Sequence, residues 1–137
     1  MIGKIERIKN LTSELKIAYV DNIFNYSDSF KLSCLKKILM DKQTYYTVIN
    51  DSKIIGGYAT YKNYLQYLFV VPDYRRLGIA LDIVNELLHK YNTLYMHIRD
   101  DNTAMLNLIN HFEYEKIENS TIKRYDGKYI SLYLVKI

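Results

Sequence analysis

The sequence contains few of the features that mark a secreted or membrane-bound protein. Its 137 residues include one cysteine, Cys34, which cannot form a disulfide within the chain and so agrees with a reducing compartment. Cys34 lies on an apolar stripe of a predicted helix, and we interpret it as a packing residue. The apolar runs are short and interrupted by Lys, Asp or Tyr, which predicts neither a transmembrane span nor a signal peptide. We expect a cytoplasmic protein with no membrane partner.

Patterns that bind metals or nucleic acids are scarce as well. None of the three histidines is spaced with another histidine and a carboxylate as metal ligands are, so no metal site is predicted. The formal net charge of +4 would suit an acidic partner, but Lys and Arg are scattered among Asp and Glu. We therefore expect no nucleic-acid partner. A binder that stacks bases on its 15 tyrosines is the weaker alternative, and an anionic cofactor explains the charge equally well.

The overall composition is that of an ordinary globular protein. Hydrophobic residues make up 49% of the chain and charged residues 25%, and neither internal repeats nor low-complexity segments occur. This length predicts a single domain covering residues 1–137. The abundance of Lys, Asn, Ile and Tyr favours an AT-rich genome, such as that of a low-GC bacterium or its phage.

One junction between a strand and a helix carries the clearest functional signal. Residues 64–71 are rich in aromatic and β-branched side chains, and Pro72 ends this strand because proline has no N–H group. Apolar residues at three- and four-residue spacing then predict a helix from about Leu77 to Tyr91. The short turn between the two is therefore the start of a helix.

That turn is suited to a phosphate group. The first N–H groups of a helix have no partner within it, and the helix dipole makes this end positive. Gly78 and Ala80 have little or no side chain, so an anion can approach the main chain closely. Arg75 and Arg76 add positive charge at the rim. The alternative is a surface turn that carries two arginines by coincidence.

The other segments complete the order β-α-α-β-β-β-α-β-α-β-β. Hydrophobic patterns predict a strand (2–9), two helices (12–25, 27–40), three strands (43–50, 53–62, 64–71), a helix (77–91), a strand (94–99), a helix (102–112) and two strands around Asp126-Gly127. Asp100 or Asp101 is the expected N-cap of the helix at 102–112. The pair Gly56-Gly57 predicts a β-bulge or a close approach of two backbones.

The junction and the element order resemble the GCN5-related N-acetyltransferase (GNAT) family. In that family an apolar strand leads into V-x-P and then R/Q-x-x-G-x-G/A, and the matching residues here are Val70, Pro72, Arg75, Gly78 and Ala80. The resemblance implies an α+β (mixed α/β) fold, with a central twisted mixed sheet of about seven strands flanked by four helices. It also implies acetyl-CoA as cosubstrate and a primary amine, on a small molecule or a protein, as acceptor.

The resemblance implies where acetyl-CoA binds. Its diphosphate would contact main-chain N–H groups of the turn, and its pantetheine arm would lie beside the end of the strand, where the two central strands splay apart, like an added strand. The residues expected to bind it are Phe69, Val70, Val71, Arg75, Arg76, Leu77, Gly78, Ile79 and Ala80. Asn102 matches the family's asparagine after the fifth strand, and it either binds the pantetheine or starts a helix.

The catalytic groups are assigned by the same resemblance. The Val70 N–H would stabilise the oxyanion when an amine attacks the thioester directly. His97 stands where some members have a glutamate base, and strand alternation places it opposite Met96 and Ile98. An imidazole has an ordinary pKa of about 6.5 and can accept a proton at neutral pH. The alternative is that His97 is a half-buried strand residue with a hydrogen-bonded neighbour.

Two residues depart from the family pattern. Ile109 replaces the tyrosine that protonates the departing thiolate, and Glu113 replaces a glycine. Tyr114 is the candidate general acid, with Tyr67 as another nearby phenol. A coenzyme A thiol should have a pKa of roughly 8.5, so the thiolate can leave without a proton donor. These departures keep open a second hypothesis, a non-catalytic acyl-CoA-binding sensor or interaction module. A homodimer formed through edge strands is also open.

Overall fold

The computed structural model describes residues 5–9, 44–123 and 127–137. The described residues form seven strands, two α-helices and a 3₁₀ turn. The strands are β1 (Ile5–Lys9), β2 (Thr44–Asn50), β3 (Lys53–Tyr61), β4 (Tyr64–Val70), β5 (Tyr95–Arg99), β6 (Glu115–Lys123) and β7 (Tyr129–Lys136), and the helices are α1 (Ile79–Tyr91) and α2 (Thr103–Ile109). The 3₁₀ turn is Pro72–Tyr74. The helices predicted at 12–25 and 27–40, with Cys34, lie outside the described residues.

The strands are hydrogen-bonded in the order β1-β2-β3-β4-β5-β7-β6. The chain divides into two compact units, one made of residues 1–62 and 66–80 and the other of residues 63–65 and 81–137. The single-domain organisation stays a prediction. Within the described residues, no helix is long and apolar enough to cross a bilayer.

The first unit is a run of antiparallel strands. β1 pairs with β2 and β2 with β3, and the β2–β3 turn has positive φ angles at both Asp51 (49°) and Ser52 (66°). Positive φ at both central residues is the geometry that two-residue hairpin loops favour. Its buried side chains include Val48, Ile55, Ala59 and Phe69, so apolar burial fixes the register of these strands.

The second unit combines a parallel pair with an antiparallel sheet. The start of β4 pairs in parallel with β5 at Tyr64 and Tyr95, and α1 is the crossover that a parallel connection needs. β7 lies between β5 and β6 and is antiparallel to both. The β6–β7 pairing confirms the predicted C-terminal hairpin, although most of its turn lies outside the described residues. The described core of this unit includes Leu65, Ile83, Val84, Leu87, Leu94, Met96, Ile98, Ile109, Ile130 and Val135.

Gly56 confirms the prediction made for the glycine pair. Val48 lies opposite Gly56 and Ile49 opposite Ile54, so Ile55 is the extra residue of a bulge in β3. A Cβ atom added to Gly56 would lie 2.6 Å from the carbonyl oxygen of Phe69. Gly56 therefore allows the backbones of β3 and β4 to approach more closely than any other residue would permit.

The expected bounds of both helices and the expected cap of α2 are corrected, and β4 has an irregularity that no sequence pattern predicted. Helix α1 begins at Ile79 instead of Leu77, because Arg76 (φ 64°) and Gly78 (φ 81°) have left-handed backbone conformations. Helix α2 ends at Ile109, and its N-cap is Asn102 rather than Asp100 or Asp101. β4 is irregular at Tyr67, whose φ of 57° is unusual for a residue with a side chain in the middle of a strand.

Candidate active site

The turn between β4 and α1 is a hydrogen-bonded loop with an exposed surface. The N–H of Tyr74 donates to the Val71 carbonyl (3.0 Å) and the N–H of Arg75 to the Pro72 carbonyl (3.2 Å), which closes the 3₁₀ turn. The four residues 75–78 that follow are all exposed, and Leu77 exposes half of its surface. The buried side chain of Ile79 then anchors the first turn of α1. The loop is held by its main chain and offers its outer side to solvent.

Gly78 has a backbone conformation that favours glycine, and the space beside its Cα atom is open. Its φ of 81° lies in the left-handed region that favours glycine. A Cβ atom at this position would meet nothing within 4 Å, so no packed neighbour excludes a side chain. The space is therefore open to a ligand that approaches the main chain at the start of α1.

Arg75 makes a main-chain contact in addition to the positive charge that the sequence predicted at the rim. Its Nε donates a hydrogen bond to the main-chain carbonyl of Val70, at 2.8 Å. The guanidinium is exposed, and its remaining N–H groups lie on the two Nη atoms. Arg75 thus connects the loop to the last residue of β4.

The main chain around Val70 is held on both sides. The N–H of Val71 donates to the Ile55 carbonyl of β3 at 2.8 Å. Because successive residues of a strand direct their N–H groups to opposite edges, the N–H of Val70 faces the edge of β4 away from β3. That is the orientation required of a donor that contacts a ligand lying along this edge.

His97 forms a pair with a tyrosine that the sequence analysis did not single out. The Tyr64 hydroxyl lies 2.5 Å from Nδ1 of His97, and the two rings meet at 64° with centroids 5.6 Å apart. His97 is exposed between the buried residues Met96 and Ile98, which confirms the predicted alternation. The strand register is the signal that was missed, because Tyr64 lies opposite Tyr95, two residues before His97.

The Tyr64 phenol stays protonated at neutral pH. Its partial burial raises the pKa above the ordinary value of 10.0, and this effect outweighs the opposing effect of the contact with His97. The hydroxyl can therefore donate to Nδ1 of a neutral imidazole, or accept from an Nδ1–H group. In the second arrangement Nε2 of His97 carries the free lone pair.

The charged groups on the same face of β5 and β7 are compensated. Alternation places Tyr95 and Arg99 on the His97 side of β5, and Arg99 pairs with Asp101 at 2.8 Å. Lys136 of β7 lies opposite Tyr95 and pairs with Glu115 at 3.8 Å. Leu134 lies directly opposite His97. The imidazole thus has a phenol and an aliphatic side chain as its nearest strand neighbours.

The residues compared with the family pattern after the fifth strand lie around α2. Asn102 is the N-cap, because its Oδ1 accepts a hydrogen bond from the Met105 N–H at 3.2 Å. This geometry shows the helix-start role, while the cofactor contact of Asn102 stays a prediction. Ile109, which replaces the family's tyrosine, is 1% exposed and belongs to the core. Tyr114 is half-buried and lines a shallow hollow with Glu113, Glu115, Lys136 and Ile137.

Metal chemistry has no cluster of ligands in the described part of the chain. No group of three or more His, Cys, Asp or Glu side chains lies close enough there to hold an ion.

Tyr67, the other phenol considered as an acid, stacks in parallel on Tyr45 with centroids 6.3 Å apart.

Residues 16–123 match the model of the acetyltransferase (GNAT) domain family. An acetyltransferase of Pectobacterium atrosepticum is 30% identical over 74 residues, which cover 50% of this chain and 52% of that protein. The chain therefore spans about half the length of the curated relative that it matches.

Solved structures share the fold over nearly the whole chain. The ribosomal-protein-S18-alanine N-acetyltransferase of Escherichia coli has a TM-score of 0.70 and 16% identity, covering 98% of this chain and 93% of its own. A GNAT family acetyltransferase of Elizabethkingia anophelis with acetyl-CoA bound has a TM-score of 0.68 and 14% identity, covering 97% of both chains. These likenesses confirm the predicted GNAT fold.

Proposed function

Because this chain belongs to the acetyltransferase (GNAT) domain family, we propose that it transfers an acetyl group from acetyl-CoA to a primary amine. The observation that carries the proposal is the β4–α1 loop. It combines four consecutive exposed residues (75–78), a left-handed glycine with open space beside it, and a guanidinium bonded to the end of β4. The Elizabethkingia anophelis neighbour holds acetyl-CoA in the same fold, which supports acetyl-CoA as the cosubstrate here.

In this proposal the loop binds the anionic half of acetyl-CoA. The N–H groups of residues 76–80 would hold the diphosphate oxygens, since these groups precede or begin α1, whereas the Arg75 N–H already donates to the Pro72 carbonyl. Arg75 and Arg76 would add positive charge. Residues 69–71 would receive the pantetheine amides along the edge of β4 away from β3. Asn102 would contribute a further polar contact through its amide nitrogen.

The reaction is a direct attack without an intermediate bound to the enzyme. The nitrogen lone pair of the amine forms the new bond to the carbonyl carbon, and the Val70 N–H stabilises the oxyanion that develops. The C–S bond then breaks, and the electron pair leaves with the thiolate of coenzyme A. A thiolate of roughly pKa 8.5 is a tolerable leaving group, so buried Ile109 can replace the tyrosine without abolishing the reaction. Tyr114 is the proposed source of a proton for that thiolate.

His97 would take the proton of the amine. A lysine-like amine has a pKa of about 10.4, so only about one molecule in two thousand is neutral at pH 7. His97 accepts the proton at Nε2 while its Nδ1–H donates to the Tyr64 hydroxyl. Tyr64 is then a positioning residue, because it sets the orientation and tautomer of the imidazole through a hydrogen bond. A water molecule can lie between Nε2 and the amine.

The acceptor is a primary amine of a small molecule or of a protein. The Escherichia coli neighbour is named for the alanine of a ribosomal protein, which makes peptide N-termini one arm of a substrate panel. An α-amino group has an ordinary pKa of about 7.7 to 8.0, so far less proton removal is needed than for lysine. Polyamines and a lysine-containing peptide form the other arms.

The test measures coenzyme A thiol release from acetyl-CoA with that panel. We expect amine-dependent release and a product heavier than the amine by one acetyl group. Binding of coenzyme A is measured by calorimetry on the same preparation. Tight binding without any acetylated product would support the second candidate, a non-catalytic acyl-CoA-binding module, which the burial of Ile109 in place of the family's tyrosine favours. The absence of both coenzyme A binding and acetylated product would contradict both candidate functions. Cytoplasmic location and a homodimer stay predictions.

A further inference from the structure

We propose that Arg75 is a positioning residue that couples the diphosphate site to the strand end where acetyl transfer takes place. This inference rests on the proposed function and goes beyond a role for Arg75 in attracting phosphate. It starts from the hydrogen bond between Arg75 Nε and the Val70 carbonyl, at 2.8 Å.

The peptide group that joins Val70 to Val71 is held at both ends. Arg75 binds its carbonyl oxygen, and its N–H donates to the Ile55 carbonyl of β3 at 2.8 Å. The preceding peptide group, which carries the Val70 N–H, packs against Gly56 through the Phe69 carbonyl. The direction of the Val70 N–H therefore depends on contacts made by both peptide groups, and Arg75 contributes one of them from the loop.

A guanidinium is suited to this connection because its N–H groups lie in one rigid plane. Nε is used by Val70, and the N–H groups on the two Nη atoms are directed elsewhere in the same plane. A phosphate oxygen bound by Nη would fix that plane, and with it the Val70 carbonyl. The N–H of Arg75 also donates to the Pro72 carbonyl, so the base of the side chain is fixed as well. The anion and the strand end are thus held by one planar group.

Lysine at this position would keep the charge and lose the connection. Its single ammonium on a flexible stem lacks the planar arrangement that serves both partners. The variant Arg75→Lys therefore separates attraction of the diphosphate, which it keeps, from positioning of Val70, which it loses. Arg76→Lys is the matched comparison, because within the described residues the hydrogen bond to the Val70 carbonyl comes from Arg75.

The experiment compares kcat and KM for acetyl-CoA in the wild type and both variants, with thermal unfolding as the check on folding. For Arg75→Lys we expect kcat to fall about tenfold at saturating acetyl-CoA, since a charge-assisted hydrogen bond is lost. For Arg76→Lys we expect the change to appear in KM. Lys90→Gln, which removes an exposed cation near the end of α1, should alter neither constant.

A second donor sharpens the result. Acetyl-pantetheine lacks the diphosphate, so a residue that only binds phosphate has no effect on its turnover. We expect Arg75→Lys to lower turnover of this donor as well, because Val70 is still misplaced. Arg75→Lys would overturn the inference if it left kcat with acetyl-CoA unchanged and if any loss of kcat/KM seen with acetyl-CoA disappeared with acetyl-pantetheine. That result would leave the proposed function intact. Absence of thiol release by the wild type would contradict the proposed function itself.

Discussion

The β4–α1 loop, residues 71–80, depends on main-chain geometry, whereas the Tyr64–His97 pair depends on two side chains. The loop combines a 3₁₀ turn, left-handed residues and a helix start, and these features follow one another along the sequence. The pair joins residues 33 positions apart, and the parallel register of β4 and β5 places the Tyr64 hydroxyl 2.5 Å from Nδ1 of His97. In the proposed function, binding of the cofactor therefore depends on a local structure, and proton transfer on a tertiary contact.

The same difference governs how each region should respond to substitution. Substitutions other than those to proline leave the main-chain N–H groups in place, so the loop is vulnerable mainly through its glycine and through its connection to Val70. The pair can be dismantled one functional group at a time. Large losses of binding are expected from the loop, and graded losses of turnover from the pair.

The largest effect is expected for Gly78→Glu. The new side chain is strained at a φ of 81° and places a carboxylate where the diphosphate would bind. We expect the affinity for coenzyme A in calorimetry to fall by about 100-fold or more, because like charges placed together cost several kcal/mol.

Gly127→Glu is the matched control for this change. Gly127 has a φ of 85° and, like Gly78, nothing within 4 Å of an added Cβ atom. The two variants carry a similar backbone cost, but Gly127 lies in the β6–β7 hairpin. Equal losses of affinity in both would mean that Gly78 acts through stability, and the loop would lose its assignment as the diphosphate site.

His97→Ala is expected to lower kcat about 100-fold, because a positioned general base contributes roughly that factor or more. The affinity for coenzyme A should remain that of the wild type. Rates with a peptide α-amine should fall less than rates with lysine, since the α-amine is more often neutral at pH 7. Equal rates for wild type and variant would remove His97 from the mechanism.

Tyr64→Phe is expected to lower kcat about tenfold, because it removes one hydrogen bond and leaves the imidazole in place. The affinity for coenzyme A should not change, and the pH profile of kcat should shift, which a purely structural role of Tyr64 would not cause. Tyr95→Phe, two residues before His97 on the same face of β5, is the control. A shift of the profile in both variants would argue against a specific Tyr64–His97 pair.

The smallest expected effect is on stability at alkaline pH. The pKa of Tyr64 is raised in the folded protein, so above about pH 10 the unfolded chain loses this proton before the folded chain does. The contribution of Tyr64 to the free energy of unfolding is therefore fully present below about pH 10 and is lost as the pH rises. Urea unfolding should show that the free energy of unfolding falls less between about pH 9 and about pH 11 for Tyr64→Phe than for the wild type. An equal drop would contradict the raised pKa.

Much of the strand and helix order was predictable because it rests on local patterns. Strand β4 was expected at 64–71 and spans Tyr64–Val70, and α1 was expected to end at Tyr91 and does. The start of α1 was missed by two residues, since apolar periodicity does not report the left-handed φ of Arg76. The cap of α2 was assigned to an aspartate because Asp and Asn are about equally good N-caps.

The catalytic side of the site was less predictable. His97 was predicted as the base from its resemblance to a family position, and that role stays a prediction, whereas its alternation with Met96 and Ile98 is confirmed. Tyr64 was missed, because its role depends on the parallel register with β5, and no local pattern encodes which residues of two distant strands lie side by side. Arg75 was recognised as a charge, while its hydrogen bond to Val70 follows only from the fold of the loop.

The sequence by itself determined the end of the strand at Pro72 and the glycine and arginines of the turn that we propose binds the diphosphate, because backbone preferences and hydrophobic spacing act over a few residues. Only the tertiary structure decided which groups hold that turn to β4 and which phenol meets His97. Those contacts depend on the pairing of β3 with β4 and of β4 with β5, which burial of apolar side chains across the whole sheet selects.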